Sequence, residues 1–368
     1  MDSITIPKPN NGHGHPRQDE VFEYLIRIMM HIFHHYLGMG NTKPPILTAE
    51  DAVRYKERAH AVQQAKDPSV EFELHPVIKL REDTTPDMVK KAILWGFRFF
   101  KLYPKSKTTH ADDGISNYMH PNLRGCYEVI ATEKTYDGKK AHSLWHNEHP
   151  RKLWDDSECE YAALGAFEQV YNLVPGLNMT WCHLSDTRVV PTLMDMEDRV
   201  VFELAVHYGY LRENDTHGKN HHVCRPPAKL LRDMHEIRRL MVSGHPKAIN
   251  GLDDAIWPKG LKECADAMCG IWNLIEALPR IIQIFEEENA LGPEGTPQYK
   301  NLVNFLSGNA RRHYELSKTK STLTLVRQPH TVPHEYILGS TVAVPFGAGK
   351  PSSWSFKDFP DFQVLAEP

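Results

Sequence analysis

Helical periodicity is the feature of this sequence that most constrains its fold. Between residues 18 and 36 the apolar side chains recur at steps of three and four, which predicts a buried helix. Thr48 offers a cap for a second helix over residues 52–65, and Pro86 stands in the first turn of a third helix that reaches residue 103. Similar periodicity extends over residues 157–173, 191–212, 228–243, 259–289 and 297–318. The pattern predicts a mainly α protein.

Strand signals are scarce in the sequence. Apolar and polar residues alternate only over short pieces, such as residues 322–327 and 341–345. We therefore expect one large helical domain with long covering loops.

Three irregular segments suggest how that domain is organised. Residues 1–17 are predicted to form a loose arm, residues 104–156 a long polar connection, and residues 319–368 a Pro- and Gly-rich tail. The connection divides the chain into an N-terminal helical region, residues 1–156, and a C-terminal helical region, residues 157–368.

Charge and hydropathy exclude two classes of partner. The formal net charge is −4, so no basic surface is predicted for binding nucleic acid. No apolar run approaches the roughly 20 residues that span a bilayer, and the N-terminus has no signal sequence. We expect a cytoplasmic protein without a membrane partner.

Histidine is unusually frequent, with 22 residues, whereas the six cysteines form no Cys-x-x-Cys pair. Two clusters offer ligands for iron or zinc. The first contains His142, His146, Glu148 and His149, and the second contains His217, His221, His222 and Cys224. Both clusters lie in predicted loops, where solvated polar turns are the alternative interpretation.

Common nucleotide and hydrolase motifs are missing from the sequence. Ser185 and Asp186 lack the Gly-x-Ser-x-Gly context of a nucleophilic serine. The segment ending at Lys350 is followed by Pro351 where a phosphate-binding loop needs Ser or Thr. No Gly-x-Gly-x-x-Gly follows a predicted strand.

His313 is the most informative single residue, because it lies on or beside the apolar face of the predicted helix 297–318. A histidine in that position is either a hydrogen-bonded core residue or a metal ligand. The segment resembles the proximal helix of indoleamine 2,3-dioxygenase and of the ring-rearranging enzyme of pyrrolnitrin biosynthesis, on Arg311 or Arg312, His313, Leu316, and Lys318 or Lys320.

Other segments extend this resemblance to the haem oxygenase superfamily. Arg239 precedes Ser243 by four residues, as does the arginine that holds the substrate carboxylate in the dioxygenases. Residues 189–193 resemble a further dioxygenase segment, and residues 339–349 have the composition of the mobile loop that closes over the family's site.

The resemblance implies a mainly α fold of the indoleamine 2,3-dioxygenase type that binds haem b. His313 would be the iron ligand, with Arg312, Trp272 and Phe305 beside the haem. Arg239 would hold the substrate carboxylate, and His183, or His146, would act as acid or base. The implied substrate is an aromatic molecule derived from tryptophan or tyrosine, oxidised with O2 or peroxide. A homodimer is left open.

Two alternatives remain at this point. One is a non-haem metalloenzyme that uses either histidine cluster, which would contain iron or zinc without a porphyrin. The other is a helical binding protein without catalytic activity. An absorption spectrum of the purified protein tests for haem, and metal analysis of a colourless sample would decide between the other two hypotheses.

Overall fold

A ring of short parallel strands forms the centre of the computed structural model, which describes residues 1–150 and 153–358. The ring strands are β2 (Asn10–Gly14), β3 (His35–Gly38), β4 (Glu73–Pro76), β5 (Ile78–Leu80), β6 (Phe99–Leu102), β7 (His142–Trp145), β8 (Asn178–Trp181), β9 (Val200–Leu204) and β10 (Ala248–Asn250). Only Val77 separates β4 from β5, so these two strands share one position. Each strand pairs in parallel with the next within two sheets, β2 to β4 and β5 to β10.

Contacts between β2 and the segment after β10 close the ring. Gly14 forms a parallel bridge with Asp254. The Asp253 N–H donates to the His13 carbonyl, and the His15 N–H donates to the Asp254 carbonyl, both at 2.9 Å. The described residues therefore form an eight-position parallel barrel.

A helix lies in every connection between successive barrel positions. The helices are α1 (Phe22–Ile32), α2 (Ala49–Lys66), α3 (Pro86–Leu94), α4 (Pro121–Thr132), α5 (Cys159–Leu173), α6 (Val190–Asp195) and α7 (Leu231–Val242). Four more helices follow the last barrel strand: α8 (Lys259–Lys262), α9 (Ala277–Glu287), α10 (Pro297–Val303) and α11 (Asn309–His313). This alternation defines a (β/α)8 barrel.

The predicted caps of α2 and α3 are confirmed. Thr48 Oγ1 accepts from the Asp51 N–H at 3.2 Å, and the Asp51 carboxylate accepts from the Thr48 N–H at 2.9 Å, which completes a capping box. Pro86 stands in the first turn of α3, after the cap residue Thr85.

The predicted mainly α fold is wrong, because the barrel strands were missed. Most barrel strands have three to five residues that are buried on both faces, so they lack the alternation of a half-exposed strand. The predicted helix ending at residue 103 stops at Leu94, and the chain then enters β6. Likewise, the predicted helix 191–212 contains α6 and then β9.

The remaining strands form small sheets outside the barrel. β1 (Ser3–Pro7) pairs antiparallel with β11 (Thr322–Val326), which also pairs with β16 (Ser355–Phe356). Two further pairs join β12 (His330–Thr331) to β15 (Pro351–Ser352), and β13 (Tyr336–Leu338) to β14 (Thr341–Ala343). The two predicted strand segments, 322–327 and 341–345, are confirmed.

The predicted loose arm contains β1 and the first barrel strand, β2, so that prediction is wrong. The predicted boundary between residues 156 and 157 lies between β7 and α5, and barrel strands occur on both sides of it. Residues 151–152 and 359–368, parts of the predicted connection and tail, lie outside the described residues. Among the described residues, no helix combines the length and the apolar character that crossing a bilayer requires.

The N-terminal end of the barrel is packed with side chains. Leu37, Val77, Phe99 and Leu144 belong to one buried cluster, which Tyr314 joins after α11. The Tyr314 hydroxyl lies 3.0 Å from Thr180 Oγ1, inside the barrel. Because this end is closed, a site for a small molecule is expected at the opposite end, where the strands have their carboxyl termini.

Candidate metal centre

Six side chains with metal-binding or anion-binding groups lie at the carboxyl ends of the barrel strands. His13 lies on β2, and His15 directly follows that strand. Because the two residues are two positions apart, their side chains point to the same side of the strand. Each of the other four comes from a different strand or the residues just after it: Lys101, His146, His183 and Asp253. All six residues are buried.

The ligand atoms of three of these residues converge. Asp253 Oδ1 lies 3.2 Å from His15 Nε2 and 3.5 Å from His13 Nε2. The ring of His183 lies next to that of His13, with 4.9 Å between centroids, and next to that of His146, with 4.6 Å. The arrangement places imidazole and carboxylate groups around one small volume.

Two of the histidines have a buried carboxylate on their other side. Glu203 Oε2 lies 2.7 Å from His13 Nδ1, and Glu148 Oε2 lies 2.6 Å from His146 Nε2. A histidine that binds a metal commonly donates its second N–H to such a carboxylate, which fixes the orientation of the ring. Because His13 Nδ1 faces Glu203, His13 Nε2 is available to bind a metal ion on the side of Asp253.

Several buried polar atoms at this site lack a hydrogen-bond partner among the described residues. They include Lys101 Nζ, His183 Nδ1 and Glu203 Oε1. Buried polar groups are normally paired, because each unpaired group costs free energy of about 1–3 kcal/mol. The unpaired atoms fit a site that holds a charged group among these residues.

Burial also sets the protonation of the imidazoles. Burial, helped by the charge of Lys101, lowers the pKa of His13 well below its ordinary value. Burial and the neighbouring His146 have the same effect on the pKa of His183. Both rings are therefore neutral at physiological pH, which is the form that binds a metal ion.

The backbone is strained at three residues of the site. Arg17, His183 and Asp253 have φ values of 62°, 37° and 49°, in the left-handed region that non-glycine residues seldom adopt. Such conformations cost free energy and concentrate at functional sites. The strain supports a functional role for this end of the barrel.

Five of the six residues, all except Lys101, line a cavity of about 20 Å³, with Arg17 and Asn41 also in its wall. Arg17 Nε donates to the Ile256 carbonyl at 3.1 Å, and the guanidinium carbon lies 4.0 Å from the centre of the Trp257 ring. Arg17 Nη2 has no hydrogen-bond partner among the described residues. The guanidinium group is thus fixed and keeps a donor for an anionic ligand.

The site residues predicted from sequence are dispersed. Only His183 and the alternative His146 lie at the cavity.

Arg239 is on the surface of α7, where its Nε donates to Glu236 at 2.7 Å. Phe305 and Trp272 are buried in the core, and Arg312 donates to Asn304 at 3.3 Å.

His313 lies at the packed N-terminal end of the barrel, where its ring contacts those of His142 and Tyr314, each with 4.9 Å between centroids. These rings fill the space in which a porphyrin would have to lie. Haem b is therefore wrong as the cofactor, and the haem-binding roles of His313, Arg312, Trp272 and Phe305 have no support.

The two histidine clusters predicted from sequence do not form metal centres as proposed. His142 and His146 lie at opposite ends of β7, so that only His146, with its partner Glu148, reaches the cavity. In the second cluster, His221 pairs with Glu263 at 2.9 Å, and His222 contacts the Asp215 carbonyl at 2.7 Å. Burial raises the pKa of the Cys224 thiol to about 12. The non-haem alternative built on these clusters is wrong.

Four residues of the site were missed in the sequence: His13, His15, Lys101 and Asp253. The spacing of His13 and His15 carried a signal, because residues two apart on a strand point to the same side. Recognising that signal required residues 10–14 to be identified as a strand. Lys101 and Asp253 are far from the histidines in sequence and have no such signal.

Comparisons with known proteins agree with this fold. The chain is 29% identical to a dihydroorotase from Alkalilimnicola ehrlichii over 362 residues, which cover 96% of this chain and 99% of the relative. It is 27% identical to a dihydroorotase from Vibrio cholerae, over 97% of this chain and all of the relative. No protein-family model matches the chain.

A solved structure shows the same fold. Dihydroorotase from Saccharomyces cerevisiae, in complex with 5-fluoroorotic acid, superimposes with a TM-score of 0.86 over 97% of this chain and 99% of that chain, at 23% identity. Dihydroorotases are hydrolases. The resemblance to indoleamine 2,3-dioxygenase, and the oxygenase function predicted from it, are therefore wrong.

Proposed function

We propose that this protein is a metal-dependent hydrolase of the dihydroorotase type. The reaction is the opening of the cyclic amide of dihydroorotate by water, which gives N-carbamoyl-aspartate, together with the reverse ring closure. The convergence of His13, His15 and Asp253 at the carboxyl ends of the barrel strands carries this proposal. The end-to-end similarity to dihydroorotases supports the choice of substrate.

The side chains present suit zinc. Imidazole nitrogens and carboxylate oxygens are common zinc ligands, and dihydroorotases use a centre with two zinc ions. His13, His15 and Asp253 would hold one ion, and His146 and His183, which line the same cavity, would contact a second. Zinc bound there would polarise the amide carbonyl and make water more acidic.

Arg17 is suited to bind the carboxylate of the substrate. Its guanidinium group is held between the Ile256 carbonyl and the Trp257 ring, so little conformational entropy is lost on binding. The wall also contains Asn41, which accepts from the Tyr103 hydroxyl at 3.0 Å and donates to the Thr109 carbonyl at 3.0 Å. These bonds fix the Asn41 amide beside the substrate space.

Asp253 is suited to transfer the proton. Its Oδ1 atom faces both His13 and His15 and would bind the metal, which leaves the second carboxylate oxygen, Oδ2, for a water molecule at the same site. Asp253 Oδ2 would accept the proton of the attacking water and deliver it to the leaving amide nitrogen. The left-handed backbone at Asp253 holds the carboxylate in this place.

The test is an assay of zinc-loaded protein in both directions, with dihydroorotate and with N-carbamoyl-aspartate, followed by chromatography of the products. We expect interconversion of the two compounds that is lost on chelation and restored by zinc. His15→Asn should lose the activity, whereas His313→Gln, which changes a histidine at the closed end of the barrel, should keep it. No turnover in either direction by folded, zinc-loaded protein would contradict the proposal.

A further inference from the structure

A second group of metal-binding side chains lies at the closed, N-terminal end of the barrel. His35 is the first residue of β3, and Glu73 and His75 belong to the adjacent strand β4. The parallel register pairs His35 with Glu73 and Leu37 with His75. The buried apolar residues Leu37, Val77 and Phe99 belong to the cluster that fills the barrel interior between this end and the cavity.

The three potential ligand atoms lie close enough together to surround one metal ion. His35 Nδ1 lies 2.9 Å from His75 Nε2 and 3.6 Å from Glu73 Oε2. His75 Nε2 lies 3.7 Å from the same carboxylate oxygen. In a tetrahedral site with bonds of about 2.0–2.1 Å, neighbouring ligand atoms are about 3.3 Å apart. The two distances to the Glu73 carboxylate are slightly longer than this value. The distance between the two rings is shorter, because His35 and His75 share a hydrogen bond that a bound ion would replace.

Other side chains hold two of these residues with the ligand atoms facing one another. His35 Nε2 lies 3.0 Å from Ser317 Oγ, so its N–H can donate to the hydroxyl while Nδ1 keeps its lone pair. Lys56 donates to Glu73 Oε1 at 2.7 Å, which leaves Oε2 for the cluster. Outer hydrogen bonds of this kind orient metal ligands in proteins.

We propose that His35, Glu73 and His75 bind one divalent cation of the zinc class, separate from the catalytic centre. Two nitrogens and one oxygen make three protein ligands, and a water molecule would be the fourth. The Glu73 side chain is 41% exposed, which gives the cation a path from solvent, whereas His35 is buried. The cation would join β3 to β4 and, through Ser317, to the segment after α11.

The charge states of the three residues agree with this proposal. Burial lowers the pKa of His35 to about 2 and that of His75 to about 4, so both imidazoles are neutral at physiological pH. Burial tends to raise the pKa of Glu73, but the nearby His75 and the ammonium group of Lys56 outweigh it and lower the pKa. Two neutral imidazoles and one carboxylate are the forms that bind a cation.

The position indicates a structural role for this cation. Catalytic sites of (β/α)8 barrels lie at the carboxyl ends of the strands, and side chains at the other end contribute to stability. A ligand that binds only the folded state raises the free energy of unfolding. Binding at His35, Glu73 and His75 should therefore raise the melting temperature without being needed for hydrolysis.

The test compares the zinc content of metal-free and zinc-reloaded wild-type protein with that of His75→Gln and Glu73→Gln. His34→Gln is the matched control, because its ring lies 3.9 Å from the His35 ring but supplies none of the three ligand atoms. We expect wild type and His34→Gln to bind one more zinc per chain than the other two variants. Cobalt in place of zinc should show the visible bands of a tetrahedral site, weakened in the same two variants.

Zinc should also raise the melting temperature of the wild type by more than that of His75→Gln. Equal zinc content in the wild type, His75→Gln and Glu73→Gln would overturn the proposal. Loss of the same zinc in His34→Gln would overturn the assignment of ligands, because that variant keeps all three. Glu73→Gln changes a partly exposed side chain and keeps its shape, so the comparison remains valid if His75→Gln does not fold.

Discussion

His13 Nδ1 and Glu203 Oε2 lie 2.7 Å apart in the barrel interior, and both side chains are almost completely buried. Glu203 therefore holds the ring of a predicted zinc ligand without being placed as a ligand itself. Glu203→Ala should lower zinc affinity by about 10–100-fold, as other losses of such outer partners do. Titration with a competing zinc indicator measures the change. Glu236→Ala, on the surface of α7, is the control, and equal affinities in the two variants would contradict the role of Glu203.

Asp253 is predicted to transfer the proton. Asp253→Asn keeps the size of the side chain but cannot accept a proton, so kcat for dihydroorotate should fall by about 10²–10⁴-fold. His313→Gln should retain activity within a few-fold, because His313 lies at the opposite end of the barrel. A kcat of Asp253→Asn close to that of the wild type would remove Asp253 from this role.

Arg17 is predicted to recognise the substrate carboxylate. Arg17→Gln should raise KM for dihydroorotate by about 10–100-fold, the range for losing hydrogen bonds between charged groups. The same change should have little effect on dihydrouracil, which has the ring but lacks the carboxylate. A similar loss with both compounds would show that Arg17 supports the structure of the site instead of binding the carboxylate.

Gly14 lies between His13 and His15 where the barrel closes. A Cβ atom at this position would lie 2.4 Å from Asp254 Oδ1 and would overlap the Tyr36 hydroxyl. Gly14→Ala should lower the free energy of unfolding by about 1–3 kcal/mol, the usual cost of overpacking, and should displace the two histidines. Urea unfolding and zinc content measure these effects.

The control for Gly14 is Gly165 in α5, where a Cβ atom would have no neighbour within 4 Å. Gly165→Ala should stabilise the protein by about 0.4–1 kcal/mol, because alanine loses less backbone entropy on folding. If both variants were equally stable, steric crowding at Gly14 would be excluded as the reason for its glycine.

The buried ammonium group of Lys262 is expected to make the free energy of unfolding depend on pH. Its ammonium donates to the carbonyls of Met268 at 2.7 Å and Gly270 at 2.8 Å, and burial lowers its pKa from 10.5 to about 8. Between these pH values the unfolded chain binds more protons at this residue than the folded chain does. The free energy of unfolding should therefore rise with pH in this window, by up to about 3 kcal/mol.

Denaturant unfolding of wild type and Lys262→Met from pH 7 to 10.5 isolates this contribution. The difference in stability, wild type minus variant, should increase with pH above about 8. Lys259→Met changes an exposed lysine of the same short helix and should give no such increase. A constant difference for Lys262→Met would show that Lys262 stays charged throughout this range.

Local signals in the sequence were sufficient for several helices. The Thr48 cap predicted the start of α2, and Pro86 predicted that of α3, because the bonds and sterics that begin a helix involve only neighbouring residues. The strand piece 322–327 was found for a similar reason, since β11 is partly exposed and keeps some alternation.

The barrel strands lacked such signals. β6, for example, consists of four residues that are all buried, and a short buried run does not show whether it is a strand or part of a helix. The missed strands led to the mainly α prediction. Because β2 was missed, His13 and His15 were assigned to a loose arm and were not recognised as neighbours on one side of a strand.

The sequence alone therefore determined where several helices begin, since capping and periodicity are local properties. It also contained the histidine-rich composition that pointed to a metal. Only the tertiary structure decided which histidines act together. Barrel closure brings Asp253 to His13, 240 residues away in the chain, whereas β7 carries His142 and His146 to opposite ends of the barrel. Such long-range pairing depends on burying all the barrel strands together. A short segment of sequence carries no information about that assembly.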